Sequence, residues 1–65
     1  MKIILNGVAT EIAEGNLAEA MIALGYVERL FATAVNGEFV RAPSRSTCVL
    51  KNGDRVEIVS PRQGG

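Results

Sequence analysis

Asn-Gly stands at positions 6–7 and again at 36–37, each time between short stretches of strand-like sequence, and nothing else in the chain restricts its fold as strongly. A two-residue reversal of type I′ needs positive φ at both central residues, and Asn followed by Gly tolerates that geometry best. Before the first Asn-Gly lies the apolar run Met1 to Leu5; after it, Val8, Thr10 and Ile12 alternate with Ala9 and Glu11. The second separates Ala32-Thr33-Ala34-Val35 from Glu38-Phe39-Val40-Arg41. Two hairpins are therefore expected, one at each Asn-Gly.

Between the hairpins the period changes. Leu17, Ala20, Met21 and Leu24 recur at helical spacing and form one apolar stripe. Asn16 is placed to cap this helix, Glu19 to reach back and complete a capping box, and Gly25 to end it as C′. Residues 42–47 are polar and include Pro43, which predicts a surface loop with one short helical turn. Asn52-Gly53-Asp54 makes another tight turn, and Val56 and Ile58 alternate with Glu57 in a last strand.

Sixty-five residues suffice for one domain only. Hydrophobic residues at 48% and charged residues at 22% fit a globular chain. Two strands, a helix and two or three further strands read as an α+β fold of the β-grasp, ubiquitin-like architecture, a mixed sheet packed on one main helix. The connection through the helix is expected to cross right-handed. A small open barrel is the rival, but the helix leaves too few strands to close one. The expected division is a β-grasp domain over residues 1–60 and a flexible tail over 61–65.

Charge and residue usage narrow the chemistry. Seven basic residues balance seven acidic ones, so no positive field concentrates the chain on nucleic acid or anionic lipid. No apolar run approaches the roughly 18 residues of a membrane span, and the N-terminal one is too short for a secretory signal, which predicts a cytoplasmic protein. Histidine is absent, which removes the commonest general base and zinc ligand. The single cysteine, Cys48, closes no internal disulfide, builds no metal site alone, and reads as a small buried apolar residue. Neither catalysis by this chain alone nor a bound cofactor or metal is expected.

The informative segment is the end, Pro61-Arg62-Gln63-Gly64-Gly65. Pro61 cannot extend the ladder of the last strand, so the residues after it should project as an arm. Fully extended, five residues reach at most about 17 Å, enough to enter a partner's active site while the body stays outside. Without a Cβ, Gly64 and Gly65 pass channels closed to any side chain and accept the φ and ψ a partner imposes. Gln63 shares in that threading. The group delivered is a carboxylate, which resists nucleophiles until it is activated, most simply by adenylation with ATP. The activated acyl group can then accept sulfur as a nucleophilic thiocarboxylate. A frayed end or a cloning scar is the bland account of the same pair.

Several stretches together resemble the ThiS family, the bacterial sulfur carriers of thiamine biosynthesis. They are Lys2-Ile3-Ile4-Leu5-Asn6-Gly7, Leu24-Gly25, Ala34-Val35-Asn36-Gly37-Glu38, Leu50 with Gly53-Asp54-Arg55-Val56-Glu57-Ile58-Val59, and the terminal Gly64-Gly65. The chain departs from the family after Asn36-Gly37, where Phe39-Val40-Arg41-Ala42-Pro43 stands in place of a common Val-Pro-Arg. The resemblance implies a protein substrate, not an enzyme. Gly65 would be adenylated by an E1-like, ATP- and zinc-dependent partner (ThiF) and converted to a thiocarboxylate with sulfur from sulfur-transfer enzymes. The charged end would then be presented to thiazole synthase (ThiG), with Gly64 as the slim neck.

One helix covers one face of a sheet, so the other face is free for these partners. Strand alternation puts Ile4 and Val59 on it, with Phe39 or Val40 nearby, as an expected docking patch. Arg55 and Arg62 are candidates for steering acidic partner surfaces. Two alternatives stay open. The chain is the small subunit of molybdopterin synthase or another thiocarboxylate carrier, or it is a ubiquitin-like modifier or a plain interaction module.

Overall fold

A computed structural model describes residues 1–27 and 30–60. The elements in chain order are β1 (Lys2–Leu5), β2 (Val8–Glu11), α1 (Leu17–Ala23), β3 (Ala32–Val35), β4 (Glu38–Val40), a 3-10 helix (Ala42–Thr47) and β5 (Arg55–Val59). Both hairpins turn as their sequences dictate. Asn6 and Gly7 take φ of 48° and 85°, and Asn36 and Gly37 take 53° and 86°. Positive φ at both central residues is the type I′ signature, and its twist matches that of the flanking strands.

The five strands form one mixed sheet in the order β2-β1-β5-β3-β4. The last strand thus enters the middle. It runs parallel to β1, with Ile4 opposite Arg55 and Leu5 opposite Val56, and antiparallel to β3, from Ala32 opposite Val59 to Val35 opposite Val56. Backbone bonds from the Ile4 amide to the Asp54 carbonyl (2.8 Å) and from the Asn6 amide to the Val56 carbonyl (2.9 Å) tie β1 to β5. With one helix on its covered face, this is the β-grasp architecture.

Period-2 alternation along β5 buries Val56 and Ile58 and exposes Arg55, Glu57 and Val59. The buried pair meets Ile3 from β1, Leu17, Ala20 and Met21 from α1, and Ile12 and Leu50 from the connections, which together make the core. Leu24, on the same helical stripe, packs partly buried against that core. Asn16 caps α1 by accepting the Glu19 amide on its Oδ1 at 2.9 Å. The reciprocal half of the expected capping box is not formed: among the described residues no bond joins the exposed Glu19 side chain to the Asn16 amide. At the other end the Gly25 amide donates to Ile22 O and the Tyr26 amide to Met21 O (3.1 and 2.8 Å), the paired bonds of a Schellman motif.

The polar segment 42–47 is a continuous 3-10 helix, more ordered than a loop with one turn. Arg45 holds it against the sheet, donating from Nε to Thr33 Oγ1 at 3.0 Å and from its terminal nitrogen to the Phe31 carbonyl at 2.5 Å. Thr33 is the one buried polar residue among those described, and its hydroxyl donates in turn to the Val40 carbonyl at 2.7 Å. These bonds satisfy a group that would otherwise destabilise the core. Tyr26 and Phe31 meet edge-on with ring centroids 5.3 Å apart.

Candidate functional site: the uncovered face of the sheet

The helix occupies one face, and the strand register decides what the other displays. Ala34 lies opposite Phe39 on one side and Glu57 on the other, while Ala32 lies opposite Val59. Directly paired residues share a face, so small side chains on β3 leave a depression between the larger ones on β4 and β5. The result is a shallow cavity of about 480 Å³ whose lining includes Asn6, Ala32, Ala34, Phe39, Glu57 and Val59, with the backbone at Thr33 between the two alanines. Phe39 is 69% exposed and Val59 54% exposed. An aromatic ring and a branched side chain left in water at the rim of a concavity are suited to accept an apolar group from a partner.

Of the residues expected on this face, Phe39 and Val59 come together at the cavity. Ile4 shares their side of the sheet, opposite Arg55 on β5 and Ala9 on β2, but it is half-buried and does not line the depression. Val40, the alternative to Phe39, is turned inward: it lies opposite the buried Thr33 and packs against the core. Ala32, Ala34 and Glu57 carry no signal of their own in the sequence, and Asn6 is marked there only as a turn residue. Strand alternation gives the first three a common parity, but only the pairing of β5 with β3, and of the Asn6 side chain with Ile58 on β5, shows that they meet.

Gly64, Gly65 and Gln63, like Arg62, lie outside the described residues, as does the whole expected tail. Arg55 is exposed at the start of β5. Cys48, at the end of the 3-10 helix, is half-buried against the core. Burial pushes its thiol pKa up, and the Asp54 charge adds to the effect. A thiol held protonated is a weak nucleophile, in keeping with a packing role. No group of three or more His, Cys, Asp or Glu residues is placed to hold a metal ion among the described residues. Nor is any helix among them long and apolar enough to cross a membrane.

A model described as the ThiS family matches residues 3–65. Among solved structures, the fold superimposes on the crystal structure of the thiamine biosynthesis protein ThiS from Geobacter metallireducens with a TM-score of 0.85, at 28% sequence identity and over 100% of both chains. No curated protein matches the sequence.

Proposed function

The chain belongs to the ThiS family, and from that premise we propose that it is a sulfur carrier of thiamine biosynthesis, a protein substrate whose reactive group is the carboxyl of Gly65. The observation that carries this reading is the family match, which extends through the final Gly64-Gly65 pair. The likeness over its full length to a protein described as a thiamine biosynthesis protein supports the same pathway.

The chemistry follows from the carboxylate. An E1-like adenylyltransferase (ThiF) uses ATP to form the acyl-adenylate at Gly65 and releases pyrophosphate. A sulfur nucleophile then attacks the acyl carbon and AMP leaves. Sulfide gives the thiocarboxylate directly; a persulfide gives it after a thiol reduces the acyl disulfide first formed. Gly64 and Gln63 thread the partner's channel, and the thiocarboxylate hands its sulfur to thiazole synthase (ThiG). The body contributes recognition: Phe39 and Val59, with Ile4 on the same face, dock on the partners, and the ATP belongs to the activating enzyme.

Intact-mass measurement tests this. Incubated with the E1-like partner, ATP and sulfide, the chain should gain the mass of one oxygen-for-sulfur exchange, and the variant lacking Gly65 should fold yet gain nothing. A covalent conjugate through an amide would instead make it a ubiquitin-like modifier. No mass change at all would leave a plain interaction module.

A further inference from the structure

β1 stops at Leu5 because the chain reverses at Asn6-Gly7, yet its neighbour β5 runs on to Val59. In a parallel ladder the backbone of β1 would next accept from the Ile58 amide and donate to the Ile58 carbonyl. That backbone has turned away. The Asn6 side chain takes its place: Oδ1 accepts the Ile58 amide at 3.0 Å and Nδ2 donates to the Ile58 carbonyl at 3.1 Å. A carboxamide has the same donor and acceptor as a peptide group, so Asn6 adds one surrogate rung to the sheet after β1 has left it. Ile58 is 3% exposed, and its peptide groups would otherwise lack partners on that side.

The rung has a particular location. Ile58 precedes Val59 of the uncovered face, and Pro61 follows three residues after Ile58. Asn6 itself lines the cavity beside Val59. Asn36, in the other Asn-Gly turn, also bonds β5, but at its opposite end: its Oδ1 accepts the Arg55 amide at 2.9 Å and its Nδ2 donates to Asp54 Oδ1 at 3.0 Å.

We propose that Asn6 is a positioning residue for the carrier reaction, its carboxamide fixing the end of β5, the strand from which the sequence continues to Gly65, against the docking face. This rests on the sulfur-carrier reading. A partner that grips the face and must receive Gly65 at a catalytic centre depends on the relation between the two, and a small misplacement of a reacting group lowers turnover more than binding.

Asn6→Gly removes the clamp and keeps the turn, because glycine accepts a φ of 48°. Asn36→Gly is the matched control at the far end of the same strand. With the adenylating partner, ATP and varied carrier, Asn6→Gly should lower kcat for pyrophosphate release about tenfold while KM stays within about twofold, and Asn36→Gly should leave kcat within about twofold. In the carrier alone, amide exchange at Ile58 should quicken in Asn6→Gly and not in Asn36→Gly. Equal kcat losses in both variants would show general weakening of β5 and overturn the proposal, as would unchanged exchange at Ile58. Wild-type turnover matched by Asn6→Gly would overturn it while leaving the carrier reading intact; a wild type that is neither adenylated nor charged with sulfur would remove both.

Discussion

Asp54 sits at the entrance to β5, where the Asn36 Nδ2 donates to one carboxylate oxygen and the Lys51 amide to the other, at 3.0 and 2.8 Å. The Asn36 hydrogen bond first, then the Lys51 backbone bond, hold its pKa below the ordinary carboxylate range, with the Lys51 charge helping and slight burial opposing. The sign of the linkage is fixed by that direction. A folded-state pKa below the unfolded one contributes stability that is complete above the unfolded value and is lost as the pH falls through the folded one. Thermal melts of the wild type from about pH 6 down to about pH 3 should therefore lose stability more steeply than those of Asp54→Asn. Parallel curves would show that Asp54 does not contribute. The sequence marked Asn52-Gly53-Asp54 as a turn, but nothing local told that Asp54 would face a side chain 18 positions away.

The helix illustrates how much an element owes to its own sequence. Its start and stop are chemical: the Asn16 side chain satisfies one of the free amides of the first turn, and Gly25 at φ 93° lets the last carbonyls be bonded as the chain leaves. Asn16→Ala should cost about 1 kcal/mol, measured by urea unfolding, with an unchanged denaturant dependence showing that the fold is otherwise intact. A shift below a few tenths of that value would mean that the bridge between Asn16 and Val49, not the cap, holds the helix start. The missing half of the capping box belongs to the same scale. The motif specifies that Glu19 can reach back, but an exposed glutamate keeps its rotamer freedom in water and has little to gain from one more hydrogen bond. The 3-10 helix was less legible. Its composition is that of a loop, and its order comes from Arg45 reaching Thr33 on β3 and Phe31 just before that strand.

For the molecule as a whole, the consequence of one helix on a five-stranded sheet is a large uncovered face with Phe39 and Val59 at a shared depression. A side chain 54% exposed in the folded state contributes little to the core, so Val59→Asp should leave the thermal midpoint near that of the wild type. At the centre of the proposed docking interface the same change desolvates a charge without a partner, which should weaken binding to the proposed adenylating enzyme by roughly tenfold or more. Titration calorimetry against that enzyme checks this. Wild-type affinity in Val59→Asp would mean that this enzyme holds the chain elsewhere than at Val59.

The amino-acid sequence by itself determined the two hairpin turns, the helix with its cap and its stop, and the alternation of β5. These depend on φ preferences, side-chain period and hydrogen bonds between near neighbours, all of which act over a few residues. Only the tertiary structure decided that β5 enters the sheet between β1 and β3, that Phe39 faces outward while Val40 packs inward, and that Asn6 bonds Ile58 across 52 positions. Period fixes which residues of one strand share a side. Which strand lies next to which is settled by the burial of all the apolar faces at once, and that competition has no local signature.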